Sequence, residues 1–334
     1  MSIKIEKAGL LTTIQDTGRY GYQKDGIIVS GAMDATALRI ANLLVDNNEN
    51  EAAIEVTLVG PKIRFHENHL IAITGADLAP EIDGEQVQMW RPVYVKAGSL
   101  LQFKGPVNGS RAYIAISGSI AIPKVMNSYS TYLRAEFGGL NGKALQAGDV
   151  IPCKDPATDI LALLKKRGLT NSDKAFIEVK WKLAPQLYPA YEENPTIRVV
   201  KGTEYELFSE SSKSYLWKEK FQITSQSDRM AHRLQGVNLS LQEDTELISS
   251  AVTFGTIQVP AQGSPIILLA DRQTTGGYPR IAQVITADFS QLAQIQPGKI
   301  VRFTEVTLQQ AQQLYVKQEQ NIEQIKRALD IKRS

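Results

Sequence analysis

The two halves of this chain carry similar signals in the same order, and that repetition limits the fold more than any single motif does. Around Arg19 the chain reads Asp16-Thr17-Gly18-Arg19 and runs on to Gly26-Ile27. Around Arg229 it reads Ser227-Asp228-Arg229 and reaches Gly236-Val237 at the same spacing. Further along, Gly60-Pro61-Lys62-Ile63 followed by Ile71–Asp77 parallels Gly255-Thr256-Ile257 followed by Ile267–Asp271. Each half then closes on a turn and a strand, Gln146-Ala147-Gly148-Asp149-Val150-Ile151 and Gln296-Pro297-Gly298-Lys299-Ile300-Val301. Each parallel is loose alone; four in one order predict two copies of one β-rich unit. The first copy is longer, with extra sequence around Ile122–Leu145.

Inside each copy the periodicity is that of short strands. Ile71–Thr74, Val93–Val95, Leu100–Phe103, Ala112–Ile116, Ile197–Val200, Ile266–Leu269 and Ile300–Phe303 are brief and β-branched or aromatic, separated by Gly, Pro and Asp turn signals. Helices are few. Asp34–Val45 places Ala37, Leu38, Ala41, Leu44 and Val45 on a helical period, and Thr307 with Gln310 forms a capping box before an amphipathic run to Ile331. The predicted class is therefore mainly β with a few helices. The Pro-punctuated, otherwise polar segment from Gly168 to Pro195 is the candidate boundary, giving domains over 1–190 and 191–334.

Composition narrows the function classes. Hydrophobic residues make up 43% and charged residues 22% of 334, a globular balance that excludes a disordered chain. The 37 basic and 35 acidic side chains give no electrostatic reason to expect nucleic acid or an anionic membrane as partner. The single cysteine, Cys153, excludes an internal disulfide framework and reads as a buried small residue; with the absence of a leader pattern at the start it leads us to expect a cytoplasmic protein. His66 and His69 read as a surface turn, so no metal site is expected there.

Familiar catalytic engines are missing. Gly138-Gly139-Leu140-Asn141-Gly142-Lys143 has the wrong glycine spacing for a phosphate-binding loop, no G-x-G-x-x-G follows a strand, and no G-x-S-x-G elbow occurs. Three polar, glycine-bearing strings remain. The first holds Asp16 and Arg19 and continues through Ser30-Gly31-Ala32-Met33-Asp34 into a helix start suited to an anion, or else Asp16 and Arg19 simply pair in a turn. The second, Asn127–Arg134 leading to Gly138-Gly139, is either an anion-binding loop or a solvated Ser/Thr loop. The third, Asp271-Arg272-Gln273-Thr274-Thr275-Gly276-Gly277-Tyr278-Pro279, follows an apolar strand, so a rigid element would deliver its polar groups to a loop. The structural alternative is a hairpin turn with Asp271 and Arg272 as a rim ion pair.

Taken together, Gly9–Tyr22, Ser30–Asp34, Leu43–Asn47, Glu55–Pro61, Thr74–Asp77, Ser227–Met230, Gly255–Pro260 and Leu269–Pro279 resemble the family of 5-oxoprolinase C subunits or KipA-type proteins, related to the carboxyltransferase subdomains of urea carboxylase. The chain departs from the family pattern at Lys143 and at Ala231-His232, where Arg and a Gly-Tyr-like pair are usual. The resemblance implies two tandem cyclophilin-like β-barrels. It implies work in a heteromeric complex with a separate A subunit and with a KipI-type B subunit, using ATP and Mg²⁺ to open 5-oxo-L-proline to L-glutamate. On that basis Asp271, Arg272 and Asp228 are the expected catalytic residues. Arg229, Gln273, Thr274, Thr275, Gly276, Gly277, Tyr278, Asp16, Arg19 and Asp34 are expected to bind a small-molecule substrate, Arg272 holding a carboxylate or phosphate. Two other readings share the resemblance: a component of a biotin-dependent carboxyltransferase acting on urea or a related amide, and a KipA-type regulator that binds a KipI-type histidine-kinase inhibitor.

Overall fold

The computed structural model describes residues 1–156, 174–243 and 245–333, which divide into two units. The first comprises Met1–Gly18, Asp34–Pro189 and Asn321–Ser334; the second comprises Arg19–Met33 and Ala190–Gln320. Part of the candidate boundary segment, residues 168–173, lies outside the described residues.

The first unit is built from two six-stranded sheets. In chain order its strands are β1 (Ser2–Lys7), β2 (Leu11–Gln15), β3 (Ala53–Thr57), β4 (Lys62–Phe65), β5 (His69–Asp77), β6 (Pro80–Ile82), β7 (Glu85–Gln86), β8 (Pro92–Val95), β9 (Leu100–Phe103), β10 (Asn108–Ile116), β11 (Val150–Pro152) and β12 (Phe176–Glu178). One sheet has the order β11-β1-β4-β9-β6-β7 and the other β12-β8-β5-β10-β3-β2. Alternation decides what faces inward: Ile3 and Ile5 of β1 are buried while Lys4 and Glu6 are exposed. Those isoleucines join Ile63, Ile14, Ile54 and Ile73 in one core fed by both sheets. The helix Ala35–Leu44 forms as the sequence predicts, with Asp34 as its N-cap accepting from the Ala37 amide at 3.0 Å.

The second unit contains a closed seven-stranded barrel. Its strands are β13 (Thr196–Lys201), β14 (Phe221–Ile223), β15 (Ala231–Gln235), β16 (Ser250–Ala251), β17 (Thr256–Gln258), β18 (Ile266–Leu268), β19 (Thr275–Gly276), β20 (Arg280–Val284) and β21 (Ile300–Glu305). Around the barrel the order is β13-β20-β17-β18-β15-β14-β21, closed by the parallel pairing of β13 with β21. Closure removes the unpaired edges that an open sheet of short strands would expose. Ile197, Val199, Val301, Phe303, Ile257 and Ile267 point inward, and β16 pairs with β19 as a separate two-stranded ladder.

The mainly β architecture agrees with the sequence, but the four internal parallels are not equally physical. The Gln146–Asp149 and Gln296–Lys299 turns match: in each the fourth amide donates to the first carbonyl at 3.2 Å, and the glycine, at φ 100° or 87°, donates to a strand carbonyl. Gly26 and Gly236 do not match. Gly26 ends a short 3₁₀ turn at φ 78°, whereas a Cβ on Gly236 would press on Phe221 at 3.0 Å. Nor do the strand pairs of the third parallel, since β4 and β5 belong to different sheets and β17 and β18 are neighbours.

Two further sequence expectations are corrected. His69 is not in a surface turn: it opens β5, is 1% exposed, and its Nε2 donates to the Ser2 carbonyl. The Ser-rich string is not solvated either, because Ser128, Ser130 and Thr131 are fully buried. No helix among the described residues is long and apolar enough to cross a membrane.

Candidate functional site

The third polar string emerges from the barrel at the end of β18, and the structure gives its residues distinct tasks. Asp271 is buried, and its backbone amide donates to the Arg229 carbonyl at 2.9 Å. Its carboxylate takes Arg229 Nε at 2.9 Å on Oδ2, and Arg229 Nη2 at 3.2 Å and Ser30 Oγ at 2.7 Å on Oδ1. Arg229 Nη2 also donates to the Gly31 carbonyl at 2.6 Å. The partner of Asp271 is therefore Arg229, forty-two residues away, and not its neighbour Arg272 at a rim. A buried pair of this kind survives only because its remaining hydrogen-bonding capacity is met. It ties the Ser30-Gly31 turn, where Ser30 is held at φ 55°, to the end of the barrel strand. Arg19, on the same segment, is fully buried, and its amide donates to the Val29 carbonyl.

Asp228 is not part of that buried pair. Its Oδ1 accepts from the Met230 and Ala231 amides at 2.8 and 3.1 Å, closing the turn before β15.

Arg272 differs from Arg229. Its Nη1 donates to the Leu269 carbonyl at 3.1 Å, and its buried Nε has no hydrogen-bond partner among the described residues. Burial pushes this guanidinium below the usual arginine range, against weaker opposing effects from Tyr20 and Asp271. It lines a cleft of about 610 Å³ together with Gln273 and Thr274, and the walls include Phe254, Phe289, Tyr20 and Tyr315. Among the described residues lining this cleft Arg272 is the sole charged side chain.

The walls are fixed by the barrel. Gln283 on β20 accepts from Thr256 and Thr253 and donates to the Phe254 and Val284 carbonyls, so its amide is fully engaged. The Phe254 and Phe289 rings lie 4.5 Å apart. The helix Phe289–Gln294 is held from both ends: Arg198 clamps Asp288 through its amide at 2.7 Å and its guanidinium, and buried His232 donates Nε2–H to the Leu292 carbonyl at 3.1 Å. The Arg198 pKa is raised by that hydrogen bond to Asp288. The Val252 amide donates to the Thr274 carbonyl at 3.1 Å, which joins the Phe254 wall to the Arg272 loop.

The rest of the string turns away. Thr275 and Gly276 pair with Ala251 and Ser250, while Gly277 and Tyr278 line a second cleft of about 570 Å³ whose described lining carries one charge, Glu246. The predicted string is thus split between two surfaces. Asp16 and Asp34 belong to the first unit. Asp16, 4% exposed, accepts from Ser128 Oγ (2.7 Å), Ser130 Oγ (2.5 Å), the Gly18 amide (2.9 Å) and the Tyr129 amide (2.7 Å). The Asp34 amide donates to Tyr113 Oη at 2.8 Å; that phenol donates in turn to Glu55, and burial together with the Glu55 charge pushes its pKa well up. Thr253, Phe254, Thr286 and Phe289 are absent from the sequence expectation, and no motif marks them; the antiparallel pairing of β17 with β20 brings the segments that carry them together.

Comparison with known proteins identifies the lineage. A model of the carboxyltransferase domain, subdomain A and B, matches residues 25–305. The chain belongs to that family. Within it, the chain is 38% identical over 323 residues to the 5-oxoprolinase C subunit of Escherichia coli, covering 97% of both chains. It is 38% identical over 320 residues to the 5-oxoprolinase C subunit of Haemophilus influenzae, covering 96% of both. The urea carboxylase of Kluyveromyces lactis has the same fold, with a TM-score of 0.86 at 28% identity; the match covers 97% of this chain and 29% of that one. Among the described residues of this family member, no group of three or more His, Cys, Asp or Glu side chains is placed to hold a metal ion.

Proposed function

We propose that this chain is the C subunit of an ATP-dependent 5-oxoprolinase, opening 5-oxo-L-proline to L-glutamate together with an A subunit and a KipI-type B subunit. The observation that carries the reading is the 38% identity to known 5-oxoprolinase C subunits, which runs over nearly the whole of both chains. The chemistry accounts for ATP. An unstrained lactam is a poor electrophile; phosphorylating its oxygen activates the ring carbon, so that water adds there. The C–N bond then breaks with the nitrogen leaving as the amine, and a second water hydrolyses the resulting acyl phosphate to glutamate and phosphate. The chain's contribution in this reading is to bind and orient. Arg272 offers a cation to an anionic group, Gln273 and Thr274 offer hydrogen bonds, and the Arg229–Asp271 pair holds their loop in place. The Asp271 carboxylate, already engaged by Arg229 and Ser30, acts as a positioning group rather than a base. The described residues offer Mg²⁺ no ligand cluster, and the reading assigns it none here.

The test is glutamate production from 5-oxoproline and ATP by the three purified subunits, with each omitted in turn. The expected result is activity only with all three. Undiminished activity without this chain would overturn the reading. A second reading, a biotin-dependent carboxyltransferase component, draws on the fold shared with the Kluyveromyces lactis urea carboxylase. It predicts carboxyl transfer from carboxybiotin to urea or a related amide, and no glutamate.

A further inference from the structure

We propose that the Arg272 cleft is the binding site for a small carboxylate whose body is an uncharged, amide-bearing ring: the carboxylate seats on Arg272 and the ring lies against Phe254 and Phe289. The charge balance selects the ligand class. The described lining holds one guanidinium, no lysine and no carboxylate, so one negative charge is matched and several are not. A nucleotide triphosphate needs more cations, or acidic ligands for a divalent ion, than these residues offer. A cation whose Nε is buried without a partner is costly unless an anion completes it.

The remainder of the cleft suits an amide ring. Gln273, Thr274 and Gln312 make no side-chain hydrogen bond among the described residues, which leaves donors and acceptors for a lactam N–H and C=O. Phe254, Phe289, Val252 and Ile285 supply apolar surface for ring methylenes. Leu308 and Ala311, in the first turn of the helix Leu308–Arg333, complete the rim at the helix end that favours negative charge. The second cleft provides the contrast, since its one described charge, Glu246, repels a carboxylate. The amide ring, the identity of the acid as 5-oxo-L-proline and the presence of its site on this chain of the complex rest on the oxoprolinase reading; the preference for a small, singly charged anion does not.

The test is equilibrium binding to the full chain, alone and in the assembled complex, by calorimetry and ligand-observed NMR. The probes are 5-oxo-L-proline, 2-pyrrolidinone (the same ring without the carboxylate), inorganic phosphate and ATP. The expected result is binding of 5-oxoproline, with 2-pyrrolidinone and the Arg272→Gln variant each weaker by about tenfold or more. Gln312→Glu, an exposed change on the opposite wall that leaves the guanidinium intact, also weakens binding, by about threefold or more, through like-charge repulsion. Neither phosphate nor ATP displaces the ligand. Equal binding by Arg272→Gln and Gln312→Glu, displacement by phosphate, or absence of 5-oxoproline binding in both the chain and the complex would overturn the site. Binding through Arg272 in a complex that makes no glutamate would keep the site and remove the reaction. Glutamate formation with a KM for 5-oxoproline unchanged by both variants would do the opposite.

Discussion

Asp16 in the first unit and Asp271 in the second stand in equivalent-looking strings, yet their carboxylates are met by different groups, and the residue after Asp271 lines a cleft. Around Asp16 two serine hydroxyls and two backbone amides meet the carboxylate within the unit. Around Asp271 an arginine and a serine meet it, and the next residue brings a second guanidinium with hydrogen-bonding capacity unspent. Polar density therefore does not distinguish a site from a structural knot. What distinguishes them is where the unspent capacity lies: Arg272 lines a cleft, whereas the unpartnered Thr12 hydroxyl and Gln15 Oε1 beside Asp16 belong to a strand buried in the core.

The largest expected effect breaks the knot of the second unit. Asp271→Ala leaves Arg229 buried without its carboxylate and should destabilise by about 3–5 kcal/mol, read as a drop in the denaturation midpoint; a cost below about 1 kcal/mol would contradict the assigned ion pair. Asp16→Asn weakens the charge-assisted bonds of the other knot and should cost about 1–3 kcal/mol, again by chemical denaturation. Arg272→Gln sharpens the contrast, because it removes an incompletely partnered cation. With no anion bound, its stability should equal or exceed the parent's, while ligand binding falls.

Two smaller effects concern the first unit. Burial pushes the Cys153 thiol up to about 12, so iodoacetamide at mildly alkaline pH should label it only after unfolding; rapid labelling of the native chain would contradict its packing. Burial lowers the His69 pKa below its ordinary 6.5. The unfolded state then takes the proton first, so stability is full above pH 6.5 and is lost as the pH falls below it. His69→Gln, which does not titrate, should flatten that limb of the pH–stability curve.

Much of the scaffold was legible in the sequence because local rules wrote it. Each predicted strand from Ile71–Thr74 to Ile300–Phe303 lies within or overlaps an observed one, and the capping box forms, with Gln310 N donating to Thr307 Oγ1 at 3.2 Å and Thr307 N to Gln310 Oε1 at 2.8 Å. What was not legible depends on which distant strands pair. That Arg229 and not Arg272 partners Asp271 follows from the β15–β18 pairing, in which Ala231 lies opposite Leu268 and so sets the two loops side by side. That the string from Asp271 to Pro279 divides between two clefts follows from the β16–β19 ladder, a pairing too short to carry a periodic signal. His69 was misplaced because its flanking turn residues resemble a surface loop, whereas the burial comes from its place at the head of β5.

The most direct measurement is the KM for 5-oxoproline in the fully assembled oxoprolinase carrying either Arg272→Gln or Ser128→Ala. Ser128 donates to Asp16 in the closed knot of the first unit. The account predicts that Arg272→Gln raises KM about tenfold or more with no loss of stability, and that Ser128→Ala costs about 1 kcal/mol of stability at unchanged KM. The reverse pattern, with KM responding to Ser128 and not to Arg272, would contradict it.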